Sequence, residues 1–355
     1  MYWLNGNTCQ ATRHTAPSGP VTVNLRVASR RMEPTALPGA TPSCDARPEH
    51  RWGHGVFRHL FVPAVLALSA ASWAFHEQGA RFLKASSIPL DFTSAVLLLS
   101  IVLLWCAEQA YPANPDWNYR LLAEGERGWS GWQRLGRDLL YLFVITQVTT
   151  LLVFLTSIQV ESGLKSRGFG FGISHSLWPD ALPFPVRVLL VFLLMELSSY
   201  WLHRAAHRFG FLWRFHSTHH AVTELTALKA LRTHPLDNVL FYLARYVPLL
   251  LLGAGSEEVV TVVYFGAILS LLAHSNIDVA EGVLGLVVNL PHYHSVHHAA
   301  DLAASQSNFG CHTILWDRLF GTFQRPAEGA RPLGMQPVGP RTLWQELIAP
   351  LYRAP

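Results

Sequence analysis

Long apolar runs separated by short charged breaks divide this chain. Leu60 to Phe75 is the first, and Phe92 to Ala107 follows after a break that carries Arg81, Lys84 and Pro89. Leu139 to Val160 holds no charged residue in 22 positions, and Phe184 to Leu202 is interrupted only by Arg187 and Glu196. Such runs reach, or reach with flanking residues, the roughly 20 apolar positions that cross a hydrocarbon core, so they predict four long membrane spans. Val239 to Leu252 and Glu258 to Ala273 are shorter and are joined by Gly253-Ala254-Gly255-Ser256. They predict a helical hairpin dipping through or into the bilayer rather than two upright spans, which makes four crossings, or six counting the hairpin. Gly282 to Leu290 reads as an interfacial segment. Residues 1–52, rich in Pro, Thr, Ser and Arg with no apolar period, are expected to be a disordered tail without the apolar stretch of a signal peptide. Residues 53–325 are expected to form one membrane-embedded domain and 326–355 a C-terminal tail.

Composition supports this reading. Half of the 355 residues are hydrophobic and only 14% are charged, too oily a balance for an ordinary soluble domain of this size. The formal net charge of +4 would raise nucleic acid as a partner in a soluble protein, but here the arginines border apolar runs and report topology. Arg120, Arg127, Arg134 and Arg137 fall between the second and third runs, and Arg204, Arg208, Arg214, Lys229 and Arg232 follow the fourth, whereas Lys165 and Arg167 alone lie between the third and fourth. Basic residues concentrate in short cytoplasmic loops, which places the tail, every histidine repeat and the C-terminus on the cytosolic side. The expected fold is an all-α, polytopic membrane helical bundle, four long spans plus a hairpin, with a cytosolic histidine-rich helical cap.

The histidines carry the chemistry. Twelve of the 18 lie between His203 and His312, and eight of these form three tight repeats: His203-x3-His207, His216-x2-His219-His220 and His294-x2-His297-His298. Residues three and four apart share a helix face, so each repeat aims imidazoles at a common point, as chelation requires. The doubled His219-His220 and His297-His298 let one ring of each pair point to each of two adjacent ions. Eight to ten nitrogens also exceed what one ion uses, since zinc takes about four ligands and octahedral iron about six. His234 in Leu231-Arg232-Thr233-His234-Pro235 and His274 in Ala273-His274-Ser275-Asn276 are further ligand candidates. His292 has the wrong spacing to share the face of His294, and His312 sits in a Gly-Cys-His-Thr segment of undefined geometry, so both stay open. His14, His50, His54, His59, His76 and His175 read as solvated or packing residues. Glu196 lies two turns before His203 on the same face, where an intramembrane acid is either an outer partner of a ligand or a charge facing other helices; Asn276 and Asp278 are further candidates for that outer role.

Competing chemistries lack their residues. Four cysteines without a C-x-x-C pair support neither a disulfide framework nor a thiolate zinc site. His76-Glu77-Gln78-Gly79-Ala80 has Ala80 where a zinc-protease helix needs its second histidine, and no G-x-G-x-x-G or phosphate loop is present. A histidine-rich membrane metal-binding or transport protein without oxygenase activity is the alternative, but transporter sites lie near the bilayer midplane on broken helices, whereas these repeats fall outside the spans.

Taken together, H-x3-H, H-x2-H-H and a late H-x2-H-H on a polytopic membrane chain resemble the fatty acid hydroxylase and sterol desaturase superfamily. The segments Leu231 to Pro235, Ala273 to Asn276, Ser307-Asn308-Phe309-Gly310 and Leu315 to Phe323 look like the connecting signatures of its bacterial members, and the likeness covers roughly residues 90–325. The resemblance implies a non-haem di-iron oxygenase of the bacterial inner membrane, its site facing the cytoplasm, that uses O2 and external electrons to hydroxylate or desaturate a lipid C–H. It implies two iron ions held by His203, His207, His216, His219, His220, His294, His297 and His298, with His234 and His274 matching two further histidines of the pattern. Zinc is a substitute in purified protein, since imidazole suits both metals. It also implies a membrane lipid substrate and a separate ferredoxin- or cytochrome-type electron donor, with no role for nucleic acid. The additional imidazole of His292, just before the last repeat, departs from the pattern.

Overall fold

A computed structural model describes residues 54–88, 90–119, 131–168, 177–327, 332–334 and 342–351. The expected N-terminal tail, Arg120, Arg127 and His175 lie outside these. The described residues are helical, with only isolated bridges such as Pro112 to Ile277 and Val288 to Thr313.

The helices, in chain order, are α1 (His54–Ala74), α2 (His76–Ala85), α3 (Phe92–Ala110) and α4 (Gly131–Lys165), the last continuous through a π turn at Tyr141–Ile145. Then come α5 (Phe184–Arg208), α6 (Gly210–His220), α7 (Pro235–Leu252), α8 (Ser256–His274) and α9 (Pro291–His297). Short α10 (Leu302–Ser305), α11 (Leu315–Phe320) and α12 (Leu343–Ile348) complete the set.

Six of these, α1, α3, α4, α5, α7 and α8, are long and apolar enough to cross a membrane. The four expected spans appear with extended ends. The expected hairpin is two full-length helices, and six candidate spans result when it is counted. Its ends are polar: α7 starts on Pro235-Leu236-Asp237, capped by His234, and α8 starts on Ser256-Glu257-Glu258. At about 1.5 Å per residue each spans roughly 27–29 Å, close to the hydrocarbon thickness. The turn between them is made by Gly253 at φ 75°, a left-handed position that favours glycine.

Burial sets the order of the layers. Only 11% of the apolar window of α1 and 17% of that of α4 is buried, against 56% for α8, which is therefore the central helix. Leu99, Val102, Leu103, Phe143, Leu151 and Phe154 stay exposed on α3 and α4. A continuous apolar surface of that extent is matched to lipid rather than water, and the chain is a multi-pass membrane protein.

One core joins α3 and α8 to the histidine cap through Ile101, Leu104, Leu271, Leu272, Leu290, Tyr293 and Ile314. Polar anchors then fix the turn Ala227–Leu231. Buried Glu108 accepts the N–H groups of Ala227 at 2.7 Å and Asn276 at 2.9 Å, and Lys229 pairs with buried Asp138 at 2.5 Å. Residues 326–355, expected to be a tail, include the docked helix α12. Its Glu346 is fully buried, pairs with Arg137 at 2.7 Å and with Arg232, and accepts from Tyr141 Oη at 2.8 Å.

Candidate metal centre

Four helices deliver the histidines to one place. The end of α5 carries His203 and His207, α6 carries His216, His219 and His220, α8 ends on His274, and α9 supplies His294 and His297 with His298 as its cap. These nine rings sort into two groups. His203, His207, His216, His220 and His297 place one donor nitrogen each within 4.8 Å of one another, and His219, His274, His294 and His298 do the same. The doubled histidines behave as their adjacency suggests: His219 and His220 go to different groups, as do His297 and His298. His220 and His298 stack at 4.5 Å where the groups meet.

The outward nitrogens decide what the inward ones offer. His203 Nδ1 faces the Phe309 carbonyl at 2.7 Å, His297 Nδ1 the Ser307 carbonyl at 2.8 Å, and His216 Nδ1 the Asp237 carboxylate at 3.0 Å. His274 Nδ1 faces the Ser270 carbonyl at 2.8 Å and His219 Nδ1 that of Arg232 at 3.4 Å. These oxygens only accept, so each Nδ1 carries the proton and each Nε2 keeps a lone pair. The Nε2 atoms of His203, His216 and His297 are buried without a hydrogen-bond partner. His219 and His274 Nε2 lie 3.2 Å apart, lone pair against lone pair. That arrangement is unfavourable unless a proton or a cation sits between them.

Protons are disfavoured. Burial first, and neighbouring imidazoles second, hold His219, His220, His294, His297 and His298 well below the usual histidine range. A cation fits better. Two nitrogens at right angles around an ion, with bonds of about 2.1 Å, are about 3.0 Å apart, and the Nε2 pairs His274–His294, His294–His298 and His207–His220 stand at 2.9, 3.1 and 3.1 Å. Each group is thus an all-imidazole, buried donor set of the kind that takes iron or zinc.

His234, expected among the ligands, belongs to neither group. Its Nδ1 accepts the Leu236 N–H at 3.1 Å, capping α7, and its Nε2 donates to the Leu347 carbonyl at 3.0 Å. The proposed outer partners are also placed elsewhere. Glu196 accepts from His312 N, His312 Nδ1 and Thr313 N at 2.9, 2.6 and 3.1 Å. Asn276 ties Asn114 and Asn118, and Asp278 pairs with His54 and Arg58. His292 approaches Glu281 at 3.9 Å, outside both groups. The outer partners missed by sequence reading are Asp237, Asn289 and the carbonyls of Ser307, Phe309, Ser270 and Arg232. Asp237 stands three residues after His234, in a segment already flagged for its histidine, so a polar residue opening the hairpin was the available signal.

The Ser307–Gly310 strip is itself held rigidly. Asp317, fully buried, accepts the Phe309 and Gly310 N–H groups at 2.8 Å each, and Asn308 donates to the Tyr293 and Gln324 carbonyls at 2.8 Å each. Asn308 adopts φ 53°, which its short polar side chain tolerates. Above the histidines lies a cavity of about 330 Å³, walled by Leu97, Ile101, Leu142, Val262 and Leu271 and floored by His203, His216, His219, His274 and His294. It is an apolar slot ending on both groups.

The family model for fatty acid hydroxylase matches residues 188–322. Ornithine lipid hydroxylase OlsE of Rhizobium tropici is 37% identical over 153 residues, 43% of this chain and 46% of that protein. Alkylglycerol monooxygenase of Homo sapiens is 31% identical over 137 residues, 39% of this chain and 30% of the other. A Delta(7)-sterol-C5(6)-desaturase of Nicotiana tabacum is 27% identical over 151 residues, 41% and 53% of the two chains. The chain spans about half or less of the length of these curated relatives, and no solved structure matches it. The stretch that resembles the fatty acid hydroxylase family, residues 188–322, carries all nine grouped histidines.

Proposed function

We propose that this protein is a membrane di-iron oxygenase that uses O2 and external electrons to hydroxylate or desaturate a C–H bond of a lipid. The observation that carries the reading is the convergence of nine imidazoles, eight of them buried, in two adjoining groups at the end of an apolar cavity, with inward lone pairs on His203, His216, His219, His274 and His297. His203, His207, His216, His220 and His297 would hold one ion, and His219, His274, His294 and His298 the other. Two iron ions so held would supply O2 activation and C–H oxidation, and zinc would bind the same donors without that chemistry. The relatives named for hydroxylation, monooxygenation and desaturation agree with a lipid substrate.

The chain's own residues do the rest. The walls from α3, α4 and α8 admit an acyl chain sideways from the bilayer and exclude water, which sharpens every electrostatic contact inside. Asp237 and the carbonyls of Phe309, Ser307, Ser270 and Arg232 hold five rings in one tautomer and orientation, so the donors are in position before any ion arrives. A ferredoxin- or cytochrome-type donor would supply the electrons, and it would dock on the histidine side, read as the cytoplasmic face of a bacterial inner membrane. Lys229 and Arg232 are buried, and Arg137 half-buried, in internal ion pairs, which leaves exposed Arg208 and half-buried Arg204 and Arg214 for such docking.

Protein produced with iron is expected to carry about two ions per chain, His219→Ala and His297→Ala each to lose one, and lipid mass spectrometry of cells with and without the gene to reveal species heavier by one oxygen or lighter by two hydrogens. A metal content near zero, or lipid oxidation retained in both variants, refutes the assignment.

A further inference from the structure

The cavity has one cation between its apolar walls and its histidine floor. Arg245 of α7 lines it, half-buried in a helix with the composition of a membrane span. A guanidinium in that setting is costly unless an anion meets it. Among the described residues no carboxylate comes within 4.0 Å of it. Its Nε donates to Ser199 Oγ at 2.6 Å, and its guanidinium carbon lies 5.2 Å over the Phe241 ring. Both contacts are with uncharged groups and fix the plane of the guanidinium, while Glu196 feels its charge from beyond ion-pair distance.

The two acids that share the cavity are engaged elsewhere, Glu196 by three donors of His312 and Thr313 and Asp237 by His216. Cys311 contributes an uncharged thiol, which burial pushes up to about 12. Location adds a constraint. The Phe241 ring beneath the guanidinium is 5.9 Å from the ring of His203 and 6.1 Å from that of His216, so a single aromatic ring separates the cation from the first histidine group.

We propose that Arg245 seats a single negative charge of an amphiphilic substrate, a carboxylate or comparable monoanion, and that the C–H presented to the histidine groups lies a few bonds from that charge rather than far along the chain. The seat stands on the cavity alone, while the regiochemistry rests on the oxygenase reading above. With Glu196 and Asp237 each engaged by other donors, Arg245 is the one cation in the lining, so it offers a seat to one negative charge, and the second charge of a phosphate dianion would find no cation to meet it.

The test uses full-length metal-free protein in lipid nanodiscs and equilibrium displacement of a fluorescent fatty acid by palmitate, hexadecanol and hexadecyl phosphate. Wild type is expected to prefer palmitate to hexadecanol by about ten- to hundred-fold, the effect of one charge-assisted contact in a desolvated site. Arg245→Gln is expected to erase that preference with hexadecanol binding unchanged, and Arg245→Lys to restore part of it. Equal binding of palmitate and hexadecanol by wild type overturns the proposal without recourse to any variant. So does an Arg245→Gln protein that loses both ligands equally, since that is a packing role, and so does a preference for hexadecyl phosphate. These arms need no turnover: if no lipid oxidation is ever found but the charge preference follows Arg245, the oxygenase reading fails and the seat stands.

Discussion

Glu346 offers the sharpest test of how the histidine cap is held. Its carboxylate is fully buried between Arg137 and Arg232, whose side chains are 9% and 6% exposed. Glu346→Gln changes the shape hardly at all, so packing is nearly constant and the lost charge dominates. Two buried guanidinia then face each other without the carboxylate between them, a change expected to cost about 3–5 kcal/mol, as for breaking a buried ion pair from one side. The damage should not spread evenly. The Arg232 carbonyl takes the proton of His219, and Thr218 Oγ1 donates to the Glu346 carbonyl at 3.4 Å, so the shift acts first on the four-histidine group. Denaturant unfolding in detergent is expected to show the loss of stability, and iron analysis after timed exposure to a chelator is expected to show one ion leaving well before the other. A variant within about 1 kcal/mol of wild type, with both ions retained equally, refutes the view that α12 buttresses the site.

Three further outcomes are expected. Gly310→Ala would put a Cβ 1.8 Å from the Thr313 carbonyl oxygen and 2.9 Å from Asp317 Oδ2. The Phe309–Gly310 backbone must then move, costing about 3 kcal/mol and weakening iron binding in the five-histidine group; unchanged metal content would show that the strip does not orient His203. His234→Asn keeps a side chain able to cap α7 but gives up the bond to Leu347, so about 1 kcal/mol of stability goes while the metal count stays at the wild-type value; loss of an ion would make His234 a ligand after all. Finally, His219, His220, His294, His297 and His298 titrate well below 6.5 when folded, because burial penalises their charged forms. In the unfolded chain they take up protons near pH 6.5. The unfolded state therefore binds more protons, and metal-free protein is expected to lose stability as pH falls below about 6.5, by up to about 1.4 kcal/mol per pH unit for each histidine. Equal unfolding midpoints at pH 7 and pH 5.5 would contradict neutral buried rings.

The parts of the site legible in the sequence are those encoded by local spacing. His203-x3-His207 lies on one helical face, and the adjacent pairs at 219–220 and 297–298 diverge because neighbouring side chains on a helix leave about 100° apart. Contacts made across the fold were not legible. The acceptors behind His203 and His297 are main-chain carbonyls more than a hundred residues and ten residues away, which no side-chain pattern announces. Glu346 follows the last histidine repeat by nearly fifty positions and looks like any acid in a short amphipathic helix. His234 shows the opposite case: its residue type suggests a ligand, while its place before Pro235 at the start of α7 makes it a cap outside both groups. The span count stayed open between four and six where Asp237, Glu257 and Glu258 border apolar runs, since a polar helix terminus and a break look alike in sequence.

Asn289 gives the two histidine groups different histories. Its amide nitrogen, oriented by the Gly310 carbonyl at 2.7 Å, faces His294 Nδ1 at 3.3 Å. In that arrangement the hydrogen of His294 resides on Nε2, inside the four-histidine group and 2.9 Å from His274. The five-histidine group needs no such rearrangement at His203, His216 or His297. An ion in the four-histidine group would therefore require the His294 hydrogen to leave Nε2, a change that the five-histidine group would not need at these three rings.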